Sequence, residues 1–317
     1  MVERGGGRWR QAAGPIAALL LLCFLWSLGS LRTDLLPQLS FEIGKSAMGA
    51  QALQFALAAL AAALWSLARR ERWPGTWDAA QAALIGLAML VAPAMLIRLA
   101  GSSVTDATRV ALFSLTPVVA VVFEPYLGRP DAPQVRGGLI AALLAVVGTL
   151  CVFPVDMPRT IGASAAFGAV IVAAGCVGVT NCWAVRVAFS LPQKTFAAFV
   201  MIATGTAALV FGVGAAFSDK SVVRIDSLLP AMGWTVAVDL PALLLLFWLM
   251  RRMTATRMAT RFLIAPLMAN AAALALFRPT VGLRAAFGLI SIATGAAWIL
   301  LARESEAETG KTTLHLN

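Results

Sequence analysis

The 317-residue sequence is poor in charge, and several kinds of chemical site are missing from it. Charged residues make up 13% of the chain, against about a quarter in soluble domains. The one histidine is His315, near the end, so a histidine-based metal or acid–base site is not expected. The patterns G-x-x-x-x-G-K-[ST] and G-x-S-x-G, for a phosphate loop and an esterase nucleophile, are absent. We therefore predict neither an enzyme nor a bound cofactor or metal.

Cysteine is also scarce. The four cysteines, Cys23, Cys151, Cys176 and Cys182, lie in apolar segments without C-x-x-C spacing. We predict buried, unpaired thiols.

Apolar residues dominate instead, at 60% of the chain, with a mean hydropathy of +0.84. A helix that crosses the hydrocarbon core of a bilayer needs roughly twenty mainly apolar residues. Seven runs of at least eighteen residues contain no Asp, Glu, Lys or Arg: 12–31, 46–68, 79–97, 137–155, 160–185, 195–218 and 285–302. Three further runs are less complete: 110–123 lies between Arg109 and Glu124, 227–250 is interrupted by Asp239, and 262–277 follows Arg261. The fold class predicted is an all-α integral membrane protein with ten transmembrane helices.

The net charge of +10 is distributed in a way that favours a membrane orientation over nucleic-acid binding. If the N-terminus is cytoplasmic, sixteen of the 25 basic residues fall on the cytoplasmic side of the ten spans. This bias predicts that both termini are cytoplasmic. Residues 1–31 are also similar to a secretory signal, but the long apolar run without an A-x-A cleavage pattern favours an uncleaved first helix.

An internal repeat is the next feature. Pro117 precedes Arg129-Pro130 by twelve residues, and Pro266 precedes Arg278-Pro279 by the same twelve, with 149 residues between the copies. Coincidence is the alternative, because Pro and Arg are common at helix ends. Because each half would hold five helices, an odd number, the halves would be inverted in the membrane. The domains predicted are a cytoplasmic N-terminus (1–11), two five-helix repeats (12–156 and 157–302) and a cytoplasmic tail (303–317).

The sequence resembles the drug/metabolite transporter superfamily, EamA-like type. The likeness covers nearly the whole chain and rests on helix number, repeat layout and these short motifs: Trp26-Ser27-Leu28-Gly29-Ser30, Ser114-Leu115-Thr116-Pro117, Leu127-Gly128-Arg129, Gly137/Gly138 with Gly148, and Trp248-Leu249-Met250-Arg251-Arg252 leading to Pro266. The resemblance implies a bacterial inner-membrane protein that exports a metabolite, an amino-acid-like compound or a drug. The chain departs from the family at Gln54, where the second helix often carries arginine, and lacks an acidic residue after the fourth and ninth helices.

Four polar or aromatic residues are predicted to line a substrate site near the middle of the membrane. Asp239 is the clearest, because a charge at this depth costs roughly 2.5–3.5 kcal/mol and usually faces the bundle interior. It could bind substrate, take up a proton or pair with another helix. Gln54 and Asn270 could contact a ligand or bridge helices, and Trp26 could supply an aromatic wall or simply pack.

Two arginines, Arg98 and Arg109, lie toward the predicted external ends of the third and fourth helices and could draw anions to the mouth of a substrate pathway. The structural alternative is that Arg109 pairs with Asp106 one turn earlier and that Arg98 reaches the interface.

The function predicted is a secondary transporter that moves a small organic solute by alternating access, with possible proton coupling through Asp239. The partners predicted are this solute and the lipid bilayer, without nucleic acid. A membrane channel or facilitator and a non-transporting membrane interaction protein are the alternatives. The sequence predicts no oligomeric state.

Overall fold

A computed structural model describes residues 6–35, 47–129, 137–218, 233–277 and 282–301. All regular structure in these ranges is helical, which confirms the predicted all-α class. Residues 1–5, Pro130, Arg278-Pro279 and the predicted tail lie outside the described residues, so those parts of the domain and repeat predictions stay predictions.

The described residues form ten apolar helices, which we number α1 to α10. Four of them, α3, α4, α8 and α9, are built from successive segments. The bounds are Gly6–Leu35 (α1), Ala47–Ala68 (α2), Thr76–Ile85 with Gly86–Val91 and Ala92–Ala100 (α3), Asp106–Phe113 with Thr116–Leu127 (α4), Gly138–Val152 (α5), Ile161–Ser190 (α6), Phe196–Ser218 (α7), Thr235–Asp239 with Leu240–Met250 (α8), Ala255–Ala259 with Arg261–Phe277 (α9) and Leu283–Leu301 (α10). Short 3-10 turns at Gly101–Ser103 and Gln193–Thr195 follow α3 and precede α7.

Seven of the ten helices are long and apolar enough to cross a membrane. The other three, α1, α5 and α8, contain shorter apolar segments of 10–17 residues. Each of the ten overlaps one predicted span. Many large apolar side chains lie exposed on the outside of the bundle, among them Leu64, Ile140, Leu209 and Ile290, as expected for a surface that faces lipid.

Two threonines 149 residues apart begin helices in the same way. The Thr105 side chain accepts a hydrogen bond from the backbone N–H of Thr108, and the Thr254 side chain accepts one from Arg257. Threonine is a favoured N-cap because its oxygen satisfies an N–H that the helix leaves open. Each of these helices, α4 and α9, is interrupted within its first ten residues and then continues.

The third and eighth helices share a different irregularity. Both contain a π-helical segment, Gly86–Val91 in α3 and Thr235–Asp239 in α8, and the two segments begin 149 residues apart. In each helix a proline stands two residues after the π-helical segment ends: Pro93 in α3 and Pro241 in α8. A π-turn opens the i→i−4 hydrogen-bond ladder. A proline, which has no N–H to donate, is therefore accommodated next to it.

The two sets of five helices, α1–α5 and α6–α10, pack against each other in matching pairs. α2 packs along α7, with Phe55 and Phe211 stacked at a centroid distance of 5.6 Å. α1 packs against α9, and α6 packs against α4, so the first helix of each five contacts the fourth helix of the other.

α5 and α10 meet backbone to backbone through glycines. A Cβ on Gly148 would lie 2.7 Å from the Gly288 oxygen, and a Cβ on Gly288 would lie 2.6 Å from the Gly148 oxygen. A Cβ on Gly295 would lie 2.5 Å from the oxygen of Ala141. Small residues permit this approach where lipid supplies no hydrophobic drive for association.

Candidate functional site

Two buried ionic side chains, Glu124 and Arg261, lie at the two segments of α9. The short segment Ala255–Ala259 ends at Thr260, whose hydroxyl donates to the carbonyl of Arg257 at 2.6 Å. The helix resumes at Arg261. Glu124 on α4 contacts the start of the first segment, and Arg261 is the buried first residue of the second segment.

Glu124 is a buried carboxylate whose oxygens accept three hydrogen bonds from the start of α9. It is 9% exposed. The backbone N–H of Ala255 donates to Oε1 at 2.7 Å, that of Thr256 donates to Oε2 at 3.2 Å, and the Thr256 hydroxyl also donates to Oε2. The first N–H groups of a helix lack partners within the helix. Glu124 therefore satisfies them and ties α4 to α9.

Arg261 is a buried cation with fewer partners. It is 2% exposed, and its guanidinium donates to the Met258 carbonyl at 3.3 Å and to the Asn181 side-chain oxygen at 3.0 Å. Its Nε and the Asn181 Nδ2 are both buried without a hydrogen-bond acceptor. Within the described part of the chain, no carboxylate pairs with Arg261.

Two aromatic rings lie against this cation, and a third ring adjoins them. The Arg261 guanidinium carbon lies 5.4 Å from the ring centroid of Trp26 and 4.7 Å from that of Phe262. Phe262 also contacts Trp26 at 6.1 Å and Phe113 at 5.7 Å between centroids. Cation–π contacts of this kind stabilise a desolvated cation by about 2 kcal/mol. We call Trp26, Phe113, Asn181, Arg261 and Phe262 the Arg261 site.

The Arg261 site draws on four helices, α1, α4, α6 and α9, two from each half of the chain. Phe113 and Phe262 are 149 residues apart and touch each other. All three rings are half-buried, so each keeps some surface that protein atoms do not cover. The site therefore combines a buried cation, an amide with an open donor and partly open aromatic faces.

The four predicted substrate-site residues lie on neighbouring elements. α1 packs against α9 and against the π-helical segment that ends at Asp239, and that segment packs against α2. Trp26 lies in the Arg261 site. The Asn270 amide donates to the Pro266 carbonyl of its own helix at 2.9 Å, which is a local structural contact. Gln54 on α2 and Asp239 on α8 are half-buried.

The two predicted mouth arginines lie near the junction of α3 and α4. Arg109 pairs with Asp106 at 2.9 Å, the local ion pair that their spacing allows, and also donates to the Gly101 carbonyl. Arg98 is half-buried in the last turn of α3.

At another helix junction, Glu71 and Arg251 tie loops to the bundle. Glu71 accepts from the backbone N–H of Ala197 at 3.0 Å, and Arg251 donates to the Leu191 carbonyl at 3.1 Å. The Arg251 guanidinium lies 5.0 Å from the Phe196 ring centroid. Partial burial, helped by the neighbouring charge of Arg252, lowers the pKa of Arg251 from its ordinary value. These residues provide matched controls for Glu124 and Arg261.

The cysteines are free, as predicted, but their burial differs. Cys23 and Cys182 are fully buried, whereas Cys151 and Cys176 are half-buried. Among the residues that the structure describes, no group of three His, Cys, Asp or Glu side chains could hold a metal ion.

Sequence reasoning missed Glu124, Arg261 and Asn181. It treated Glu124 and Arg261 as charges at the ends of apolar runs and gave Asn181 no role. The repeat spacing contained the missing signal, because 149 residues before Arg261 is Leu112, in the interior of the apolar run 110–123. Equivalent positions are expected at similar depth.

No family model matches the chain, and no curated protein matches it. Twenty-six chains of solved structures match it in fold. One, described as "Crystal structure of protein", has a TM-score of 0.72 and 18% sequence identity, and the match covers 92% of this chain and 99% of that one. At this identity the likeness shows the fold alone: the ten-helix arrangement occurs in a solved protein of nearly the same extent.

Proposed function

We propose that the chain is a secondary transporter of the drug/metabolite transporter superfamily, EamA-like type, that exports a small organic solute. It would lie in the bacterial inner membrane with both termini cytoplasmic. Residues 12–156 and 157–302 would form two inverted halves around a central substrate site. Alternating access would come from movement of one half relative to the other.

The observation that carries this proposal is the recurrence of the 149-residue spacing in irregular structure. Threonine caps, interrupted helices and π-helical segments recur at this spacing, although none is required merely to cross a bilayer. Broken helices in corresponding positions of two halves are typical of secondary transporters, which build substrate sites from them. The crossed packing of α1 with α9 and α6 with α4 is what a two-fold relation between halves would generate.

The proposed topology makes a direct prediction about the chain ends. Accessibility tags placed after Met1 and after Asn317 should both report the cytoplasmic side, because ten crossings return the chain to its starting side. Tags found on opposite sides would contradict the ten-helix inverted arrangement.

Transport is tested on the purified chain in two stages. A thermal-shift screen against a metabolite library identifies ligands, because a compound that binds only the folded state raises apparent stability. A hit is then preloaded inside proteoliposomes, and uptake of its labelled form from outside is followed against protein-free liposomes. A transporter gives saturable counterflow. Flux without counterflow would support a channel or facilitator, and no flux with any hit would favour a membrane interaction protein.

Proton coupling through Asp239 is the proposed energy input. In the Asp239→Asn variant, uptake of the hit should no longer respond to an imposed pH gradient, while counterflow without a gradient should persist. Uptake that still follows the gradient in this variant would remove Asp239 from the coupling mechanism.

A further inference from the structure

We infer that Arg261 and Asn181 form the anion-binding part of a site for a monoanionic solute with an apolar, ring-sized body. As a statement about the transported solute, this inference rests on the proposed function. As a statement about binding, it stands on the geometry of the Arg261 site alone.

Charge is the first reason. Removing a cation from water is costly unless a counter-charge and hydrogen bonds replace the lost hydration. Among the described residues, Arg261 has carbonyl, amide and aromatic neighbours but no paired carboxylate. A bound anion of one charge would neutralise the site.

The open donors are the second reason. Arginine has five N–H donors, and asparagine has two on its amide nitrogen. The Asn181 oxygen already accepts from Arg261, so its Nδ2 is the end left over, and neither Nδ2 nor the Arg261 Nε finds an acceptor. Buried polar atoms are nearly always paired in folded proteins. A carboxylate accepts hydrogen bonds only, and two of its lone pairs would satisfy both leftover donors.

The aromatic surroundings indicate the rest of the ligand. Trp26 and Phe262 lie against the guanidinium, Phe113 contacts Phe262, and all three residues are only half-buried. Aromatic faces favour an apolar or aromatic body over a sugar-like or highly hydrated one. Because Phe113 and Phe262 come from the two halves and touch, a solute held here would contact both halves, where transporters of this kind bind substrate.

Glu124, the buried acidic residue that contacts α9, is not the counter-charge of Arg261. Its two oxygens already accept three hydrogen bonds from Ala255 and Thr256. These bonds hold the Glu124 carboxylate at the start of α9, and it forms no ion pair with Arg261. Among the residues that the structure describes, Arg261 thus has no carboxylate partner, and a bound anion would supply one.

The test compares three probes of the same size in thermal-shift and calorimetric titrations of the purified full chain. Benzoate carries the required charge and ring, benzamide the ring without charge, and benzylamine the opposite charge. We expect benzoate to bind and raise the melting temperature, and benzamide and benzylamine to bind at least about tenfold more weakly, because charge-assisted hydrogen bonds are lost. Equal binding of benzoate and benzamide would overturn the inference.

Substitutions then locate the binding. Arg261→Gln should weaken benzoate binding by about tenfold or more, and Arg261→Lys should recover only part of it because lysine lacks the planar fork. Arg251→Gln is the matched control, since Arg251 also donates to a carbonyl and lies against a phenyl ring, but at a loop. It should bind benzoate as the parent does. A loss shared equally by Arg251→Gln and Arg261→Gln would contradict a specific site.

Asn181→Asp guards against the possibility that Arg261→Gln fails to fold. The new carboxylate would stand where the amide oxygen already lies, 3.0 Å from the guanidinium, and would supply the counter-charge internally. We expect this variant to fold with an unchanged or higher melting temperature and to lose benzoate binding by about tenfold or more. A folded Asn181→Asp protein that still binds benzoate would overturn the inference.

The outcomes separate this inference from the proposed function. Benzoate binding that depends on Arg261, without counterflow of any hit, supports the site and removes the transport proposal. Saturable counterflow of neutral or cationic hits, unaffected by Arg261→Lys and by Asn181→Asp, supports transport and overturns the anionic substrate.

Discussion

Two buried charges at α9, Glu124 and Arg261, have different sets of partners in this fold. Glu124 accepts hydrogen bonds from Ala255 and Thr256, and these fix the start of α9 against α4. Arg261 is more deeply buried, yet one of its donors and one of the Asn181 donors remain open. Burial alone therefore does not distinguish a structural charge from a binding charge. The two are distinguished by whether the fold itself supplies a hydrogen-bond partner for every donor and acceptor.

The largest effect is expected when Glu124 is removed. Glu124→Ala would leave two backbone N–H groups and a hydroxyl buried without acceptors, and we expect a loss of about 3 kcal/mol in the free energy of unfolding. Denaturant titration in mixed micelles measures it. Glu71→Ala is the control, because Glu71 accepts from the Ala197 N–H at a half-buried position and should cost about 1 kcal/mol. Equal losses would end the distinction drawn for Glu124.

Thr256→Val tests one of the Glu124 bonds alone. Valine keeps the shape of threonine but cannot donate to Oε2, while the backbone N–H of residue 256 still can. We expect a loss of about 1 kcal/mol in the same titration. In the Glu124→Ala background the substitution should cost less, since the hydroxyl then has no acceptor there. An identical cost in both backgrounds would show that the hydroxyl and Glu124 are not coupled.

Arg261→Met sharpens the comparison from the other side. Methionine fills a similar volume without a charge, so without ligand we expect the free energy of unfolding to stay within about 1 kcal/mol of the parent. The same variant should lose the stabilisation by benzoate. If Arg261→Met lowered the free energy of unfolding as much as Glu124→Ala does, Arg261 would have a structural role and no role in ligand binding.

The smallest effect is expected at the exposed ion pair. Asp106 is 91% exposed on its side chain, and Asp106→Asn should change the free energy of unfolding by about 0.5 kcal/mol or less. Repeating the titration at high salt should reduce the difference further, because salt screens exposed charges. A large, salt-independent effect would give this pair a role in the fold that its exposure does not suggest.

The sequence predicts the helices of this chain well and its inner polar contacts poorly. Long apolar runs are set by the thickness of a bilayer, so all ten spans have helical counterparts. The 149-residue spacing between Pro117 and Pro266 also extends to features that those prolines do not themselves reveal, such as the caps at Thr105 and Thr254.

The hydrogen-bond partners of Glu124 and Arg261 could not be predicted in this way. A carboxylate at the end of an apolar run looks the same whether it faces water or the start of another helix. Only the packing of α4 on α9 brings Glu124 to the Thr256 N–H, 132 residues away in sequence. Similarly, Asn181 reads as one polar residue in a small-residue helix until α6 places it beside Arg261. Transport, the solute and the roles of Gln54, Asp239 and Asn270 stay predictions.

The paired π-helical segments have a consequence for the history of the chain. A π-turn holds one residue more than an α-turn and is rare in helices, so two of them at matching positions point to a shared origin. On the proposed duplication, the segments that begin at Gly86 and Thr235 stem from one π-helical segment in an ancestor half this length. Such an ancestor would have had to assemble as two copies in opposite orientations, and fusion of its gene would then have let Arg261 and Leu112 diverge independently.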